Sequence, residues 1–372
     1  MSAYEVDMNW VNETWSKVEK KMAKVAPEVG AAFPYTTKNG KYVNEYNASW
    51  WTNGFWAGMM WLMYKQTGDE DYRKIAEGCE EMLDETFLDF NGLHHDVGFM
   101  WLLSAVADYR LTGSEISKTR GLHAATLLAG RFNAQAKFIR AWNGDKIGWG
   151  IIDCMMNIPL LYWASDESGD PRFRYAAMTH ADTAMTAFVR PDGSCNHIVS
   201  FDPVTGEILE TPGGQGYESG SSWSRGQSWA LYGFTLSYIH TGKQEYLDTA
   251  KKVAHYFIAN LDETGVPAVD FRSPAGDDMK DSTAGCIAAC GLIELSKIVP
   301  EFEKALYLRA AIKILQGTEK HCCNYDDNEQ SIVQMGTEAY FNKDGIHIPI
   351  IYGDYYFMEA LLKLKGNDVL FW

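Results

Sequence analysis

An all-α fold, an (α/α)6 barrel of six inner and six outer helices, is what this sequence predicts, and three observations predict it. Segments that are apolar nearly all round alternate along the chain with amphipathic ones. Each of the six apolar segments opens on a small polar signature: Thr52-Asn53-Gly54-Phe55-Trp56, Asp96-Val97-Gly98-Phe99, Asp153-Cys154-Met155-Met156, Ser224-Arg225-Gly226-Gln227, Asp281-Ser282-Thr283-Ala284 and Gly353-Asp354-Tyr355-Tyr356. Stop signals recur between segments, at Lys65-Gln66-Thr67-Gly68-Asp69, Arg110-Leu111-Thr112-Gly113-Ser114, Glu167-Ser168-Gly169-Asp170 and His240-Thr241-Gly242-Lys243. Glycine suits a helix C-cap there, and the polar residue after it suits the next N-cap.

The elements follow in order. An amphipathic stretch from Trp10 to Val25 supplies the first outer helix, and Phe55 to Tyr64 the first inner one. After Gly68, Tyr72, Ile75, Ala76, Cys79, Met82, Leu83 and Phe87 fall at spacings of three and four, one apolar stripe on an acidic helix. Val97 to Val106 is apolar on every side, so it is buried on every side. An outer helix starts near Ser114, an inner one covers Met155 to Trp163, and another outer one starts near Pro171. Trp229 to Ile239 is the next inner helix; after Gly242 comes a stripe of Tyr246, Ala250, Val253, Ala254, Phe257 and Leu261. Ala284 to Leu295, an outer helix from near Glu301, and Tyr355 to Leu364 complete the set. If the inner helices run parallel about one axis, their N-termini gather polar residues scattered along the chain into one cavity. An open α-solenoid is the alternative, and it gives no reason for aromatic and acidic residues to collect at inner-helix starts.

Composition bounds the function. With 372 residues and 46% hydrophobic content, the chain can bury one oversized core, and the pattern runs end to end without a linker, so one domain over 1–372 is expected. A net charge of −16 with no Lys/Arg cluster argues against nucleic acid or an anionic membrane as partner. No apolar run approaches the roughly 20 residues of a membrane span. The opening, Met1 to Asp7, lacks a basic region followed by an apolar stretch, and the seven cysteines lack metal-site spacing. A cytoplasmic protein with reduced thiols is the expectation.

Two lone carboxylates carry the chemistry. Asp96 and Asp153 each open an apolar segment among aromatics and histidine. Simple N-capping accounts for either one alone. Two on neighbouring inner helices point instead to a paired-carboxylate site, the usual equipment for acid/base work on sugars. The 13 Trp and 20 Tyr concentrate at helix starts and the loops feeding them, with Trp50, Trp51, Trp56, Trp142, Trp149, Trp223 and Trp229 as examples. Such rings stack on sugars while their polar atoms bond hydroxyls, although about half are expected to fill core. The glycine-rich stretch from Thr211 to Trp223 has no Lys-Ser/Thr ending, so it is no phosphate loop; flexibility and its Gln, Tyr and Trp suit a sugar-binding lid. His197 and Arg225 are candidate anion-readers. No two histidines form a helix-face metal motif, His94 and His95 point different ways on any regular element, and neither metal nor cofactor is expected.

The chain resembles the unsaturated glucuronyl hydrolases (glycoside hydrolase family 88) over nearly its whole length. The carriers are Trp51-Thr52-Asn53-Gly54-Phe55-Trp56-Ala57-Gly58, His94-His95-Asp96-Val97-Gly98-Phe99, Ile152-Asp153-Cys154-Met155-Met156-Asn157, Trp223-Ser224-Arg225-Gly226-Gln227-Ser228-Trp229 and Asp281-Ser282-Thr283-Ala284. The resemblance implies an (α/α)6-barrel enzyme that removes a 4,5-unsaturated uronic acid from the non-reducing end of glycosaminoglycan oligosaccharides. It implies that Asp153 is the general acid/base and that Asp96 holds substrate hydroxyls. It also implies that His197, Gln215, Arg225 and Trp229 line the sugar site, with Trp51 and Trp142, against which Trp50 and Trp149 compete. Burial and the charge of Asp96 are expected to raise the Asp153 carboxyl pKa against the helix dipole. The related unsaturated rhamnogalacturonyl hydrolases of pectin, a sugar epimerase and a non-catalytic oligosaccharide-binding barrel are the other readings. Oligomeric state is not legible in the sequence.

Overall fold

The computed structural model describes residues 6–367 and 370–372. Residues 1–5, part of the segment read as lacking a leader, lie outside the described residues. The helices are α1 (Met8–Val29), α2 (Phe55–Thr67), α3 (Glu70–Leu83), α4 (Val97–Trp101), α5 (Ala107–Thr112), α6 (Glu115–Ala129), α7 (Pro159–Ser168), α8 (Pro171–Ala187), α9 (Ser224–Thr241), α10 (Gln244–Ala259), α11 (Ser282–Ile298), α12 (Glu301–Cys322) and α13 (Ile351–Leu364). A π-helical turn, Leu102–Val106, joins α4 to α5, so the two make one inner helix with a wide turn inside it.

Inner and outer helices separate as the periodicity predicts. Every residue of α13 is buried, as are Ser282 to Ser296 of α11 and Ser224 to Ser237 of α9. By contrast α3 buries Tyr72, Ala76, Cys79, Glu80 and Leu83 on one side. Each outer helix packs on an inner one: α1 on α13, α3 on α2, α6 on α4, α8 on α7, α10 on α9 and α12 on α11. The inner ring closes where α13 meets α2, so this is a barrel and not an open solenoid. The four junction glycines, Gly68, Gly113, Gly169 and Gly242, all hold left-handed C-caps; Asp69, Ser114 and Asp170 then cap the following helices through their side chains.

Away from the inner-helix N-termini the interior is sealed. Trp372 stacks on Tyr356 at 5.8 Å and donates from Nε1 to Glu359 Oε2 at 2.9 Å. Lys363, fully buried, pairs with Glu294 at 2.6 Å and Glu359 at 3.5 Å. Among the described residues, the N-terminal end of the inner ring holds a cavity. No helix among the described residues is long and apolar enough to cross a membrane.

Short strands, absent from the sequence expectation, sit in the connections. Hairpins pair β1 (Thr36–Lys38) with β2 (Lys41–Val43), and β3 (Phe132–Asn133) with β4 (Phe138–Ile139). A three-stranded antiparallel sheet joins β5 (Trp149–Ile151), β6 (Ile198–Phe201) and β7 (Ile208–Glu210) in that order. Asp153 therefore does not open a helix: it lies in a 3-10 turn, Ile152–Met156, between β5 and α7. Pro159, with its preset φ and missing N–H, starts the helix proper.

Candidate active site

The β5–β6 register builds one side of the site. Ile151 pairs with Ile198, and Ile152 N–H donates to the His197 carbonyl at 3.0 Å, so the residues flanking the two strands meet. His197 Nε2 then lies 3.5 Å from Asp153 Oδ1, an oxygen with no hydrogen-bond partner. The other ring nitrogen, Nδ1, accepts from Gln215 N–H at 3.0 Å, so the imidazole proton is on Nε2, towards the carboxyl. The ring also packs on Trp223 at 4.3 Å.

Gly214 makes that bond possible. Its φ is +61°, and a Cβ there would come within 2.1 Å of His197 Nδ1. The glycine-rich loop is thus pinned where the sequence suggested a flexible lid. Buried Asp270 accepts from the backbone N–H groups of Tyr217 and Ser222 and from the Ser221 hydroxyl.

Asp96 forms the other side. Neither Asp96 nor Asp153 caps a helix with its side chain, so capping does not explain them. Asp96 Oδ1 accepts from Asn157 Nδ2 at 3.1 Å; its Oδ2 lies 3.3 Å from His94 Nδ1 and 3.4 Å from His95 Nε2. The adjacent histidines reach one oxygen because they sit in a turn rather than on a regular element. Asn157 ties the two acids together: its Nδ2 also donates to the Asp153 carbonyl at 3.1 Å, and its Oδ1 accepts from Phe99 N–H at 2.8 Å. Burial, and after it the charge of Asp153, push the Asp96 carboxyl well above the ordinary carboxylate range. Deep burial is what gives Asp96 this effect. Burial likewise lowers His94 to about 4 and His95 well below its usual value, so both rings are neutral at pH 7. Among the described residues, His94, His95 and Asp96 are also the one such group with ligand atoms, all within 4.8 Å, that could hold a metal ion.

Asp96 and Asp153 line one cavity of about 350 Å³ with Trp51, Trp142, His197, Gln215 and Arg225. Trp50 lines it too, stacked on Tyr46 at 3.8 Å, whereas Trp149 packs behind Trp142 at 5.7 Å. Arg225 is fully enclosed: its guanidinium pairs with Asp281, lies 4.5 Å over the Trp223 ring, and donates to the carbonyls of Thr337 and Glu338, each at 2.7 Å. A larger cavity of about 820 Å³ shares the His94 wall, but its lining includes exposed Leu88, Phe90, Leu127 and Ile147 and no pair of carboxylates. The acid pair lies in the smaller one.

Comparison with known proteins then decides the family. The profile of Glycosyl Hydrolase Family 88 matches residues 21–367. The chain belongs to glycosyl hydrolase family 88. It is 37% identical to an unsaturated glucuronyl hydrolase of Bacillus sp. (strain GL1), over 94% of this chain and 95% of that protein. It is 34% identical to an unsaturated chondroitin disaccharide hydrolase of Streptococcus pyogenes serotype M1, over 90% of this chain and 86% of that one. The crystal structure of the Bacillus sp. GL1 unsaturated glucuronyl hydrolase superposes with a TM-score of 0.91, covering 95% of this chain and 97% of that one.

One residue of this family 88 chain sits elsewhere than expected. Trp229 does not line the cavity; it is wholly buried against Phe99 at 5.0 Å and Tyr356 at 5.7 Å. It lies one turn inside α9, past the mouth, so it supports the Phe99 on which Trp51 packs. The cavity also holds residues to which the sequence analysis gave no role: Tyr35, Tyr46, Glu338, Asn342 and Tyr352. Tyr352, in the first turn of α13, was within reach of the rule that placed the others at inner-helix starts. Glu338 and Asn342 come from an irregular loop and carry no local signal.

Proposed function

We propose that this family 88 protein is an unsaturated glucuronyl hydrolase, releasing a 4,5-unsaturated uronic acid from the non-reducing end of glycosaminoglycan-derived oligosaccharides. The observation that carries the reading is the unequal acid pair. Asp96 is deeply buried at the cavity wall, bonded by Asn157 and beside two neutral imidazoles, while Asp153 keeps an unpartnered oxygen beside His197 in the same aromatic cavity. Two carboxyls in such different surroundings divide proton transfer and hydroxyl binding between them.

Asp153 is the proposed general acid/base. Its carboxyl proton goes to C4 of the substrate as the C4=C5 π pair forms the new C–H bond, and the ring oxygen lone pair stabilises the cation left at C5. Water bonds to C5 and gives a proton back to the Asp153 carboxylate. The resulting hemiketal opens by breaking C5–O5, leaving a C5 ketone and a hydroxyl on C1. Collapse of that C1 hemiacetal expels the remaining saccharide as an alcohol. His197 Nε2–H orients Asp153, and the raised carboxyl of Asp96 holds a substrate hydroxyl. Trp51 and Trp142 supply stacking faces.

One hydrophobic cluster runs from Val11 in α1 to Trp372, which supports a single catalytic domain over 1–372. All seven cysteines are free and six are buried, which supports a reducing, cytoplasmic setting. The test is to add a lyase-generated unsaturated disaccharide and follow the enol ultraviolet absorbance. Its loss is expected; stereochemical scrambling with the absorbance intact would indicate an epimerase, and binding without either a carbohydrate-binding barrel.

A further inference from the structure

The larger cavity, of about 820 Å³, shares one lining residue, His94, with the cavity of the acid pair, and the proposed chemistry leaves it unused. Its walls are fixed by hydrogen bonds. Asn143 Nδ2 donates to the carbonyls of Phe90, Asn91 and Leu93 at 3.2, 3.0 and 2.9 Å, which ties down the loop that carries Leu88 and Phe90. Four apolar side chains, Leu88, Phe90, Leu127 and Ile147, are exposed around the cavity, Leu88 by 92% and Phe90 by 84%. Single exposed apolar residues are ordinary, whereas a cluster of them about one cavity marks a binding surface.

Two arginines of that lining have no carboxylate partner. Arg131, half-buried, gives its donors to neutral oxygens: Nε to the Arg140 carbonyl at 2.9 Å, Nη1 to Asn143 Oδ1 at 2.9 Å and Nη2 to the Ala141 carbonyl at 2.8 Å. A guanidinium carries five N–H groups, so two of them remain for a ligand. Arg140 donates from Nη2 to the Gly144 carbonyl at 2.7 Å, and its Nε has no acceptor. Among the described residues neither guanidinium is paired with a carboxylate. Burial, and after it the charge of Arg140, push Arg131 down to about 10, so each cation is felt by the other. The single carboxylate of the lining, Asp89, is taken up by the Gly92 N–H at 2.9 Å and the Ser49 hydroxyl at 2.8 Å. A chain of net charge −16 thus keeps two like charges side by side without neutralising them.

We infer that this cavity is a second binding site, for an amphipathic organic carboxylate whose anionic head meets Arg131 and Arg140 and whose aromatic or acyl body lies on the apolar rim. Charge complementarity selects the head. A planar carboxylate accepts parallel N–H bonds from a guanidinium fork and relieves the repulsion between the two cations. The rim selects the body. Leu88, Leu127 and Ile147 present aliphatic edges with nothing to bond a sugar hydroxyl, unlike the indole faces of Trp51 and Trp142 in the neighbouring cavity. The volume lies within the range of roughly 300–1,000 Å³ common for small-molecule sites. Binding here uses neither Asp96 nor Asp153, so the inference stands apart from the activity proposed above.

The experiment titrates the full chain by calorimetry, at neutral pH and low salt, with naphthalene-2-carboxylate and with its uncharged amide. Wild type is expected to bind the acid at one site per chain and at least about tenfold more tightly than the amide, the difference that charge-assisted hydrogen bonds supply. Raising KCl should weaken binding of the acid and leave the amide nearly unmoved. Arg140→Gln removes a cation whose one hydrogen bond is to the exposed Gly144 carbonyl, and Leu127→Glu adds a carboxylate at the rim. Each should weaken the acid by about tenfold, and Arg140→Gln should change the amide little. The comparison of acid with amide on wild type needs no variant, so a variant that fails to fold leaves the test intact. Acid and amide bound alike would make the cavity an apolar groove without a head-group site. Acid binding that is absent, that ignores both variants, or that weakens as chain concentration rises would place the ligand elsewhere or give the rim to a second copy of the chain. Each of these results would overturn the inference. A chain that binds the acid but leaves an unsaturated disaccharide unconsumed would overturn the proposed activity and not this site.

Discussion

Arg225 offers the sharpest test of how the site is built, because a sugar-reading arginine and a structural one predict different outcomes. Its guanidinium is 1% exposed and paired with Asp281, itself 0% exposed. Removing one partner of such a pair costs roughly 3–5 kcal/mol, because the other charge stays buried and uncompensated. Arg225→Met would also strand the Thr337 carbonyl, a buried acceptor worth about 1–3 kcal/mol when left without a donor, whereas the Glu338 carbonyl keeps Gln215 Nε2. Part of this is recovered as the wall relaxes, so we expect a loss of about 4–6 kcal/mol in urea unfolding. Arg225→Lys keeps the charge but not the fork, and one ammonium cannot serve Asp281 and both carbonyls together. It should therefore lose about half as much stability, and turnover should fall in step with stability for both variants. If Arg225→Lys unfolded like wild type and changed only KM, the arginine would be reading the substrate, and the buttress argument would be refuted.

Three further outcomes follow from the acid pair. Asp153→Asn should lower kcat by about 10²–10⁴-fold with KM changed only a few-fold, since the amide keeps the shape but cannot cycle a proton; wild-type turnover in heavy water should put deuterium on C4 of the product, and most activity surviving in Asp153→Asn would show the acid to be misassigned. Asp96→Asn should weaken binding and rate yet gain stability at higher pH. The folded-state pKa of Asp96 is raised, so its contribution is intact below the ordinary carboxylate pKa near 3.9 and is lost as pH rises through the raised value, about 1.4 kcal/mol for each tenfold weakening of the acid; the variant's advantage in Tm should grow from pH 4 to pH 8, and a difference flat in pH would contradict the burial argument. Exhaustive chelation should leave turnover unchanged, whereas loss restored by a divalent metal would reassign His94, His95 and Asp96 as ligands.

The barrel is legible in the sequence because its two signals are strong and long. Inner helices such as α13 are apolar on every face and outer ones such as α3 on a single stripe, and both patterns persist over many turns. The turn that carries Asp153 reads as a helix start because three-residue β5 is too short to show a period of two against the apolar run that follows. Its one local trace, the sequence Trp149-Gly150-Ile151-Ile152 before Pro159, fits a strand and a delayed helix start. Trp229 misleads for a different reason. An aromatic one turn inside a buried helix has the same neighbours in sequence as one at the mouth, and only the direction of the side chain separates them. Glu338 and Asn342 are invisible because a loop residue acquires its role from what Tyr35, Gln215 and Arg225 do to it across the fold.

These corrections change the picture of recognition as well as of structure. In sequence, Arg225 and His197 look like anion-readers against a protein of net charge −16. The structure commits the arginine to Asp281 and the 337–338 backbone, and it aims the histidine at Asp153. What remains facing the cavity is a set of neutral donors and aromatic faces, with the carboxyl groups of Asp96, Asp153 and Glu338. A site arranged this way cannot draw its substrate by long-range attraction, and association should proceed without electrostatic steering. The same negative surroundings that weaken the approach of a uronate would favour the cation proposed to form at C5. Binding strength is thereby exchanged for stabilisation of the charge that develops only in the transition state, and that exchange raises turnover rather than affinity.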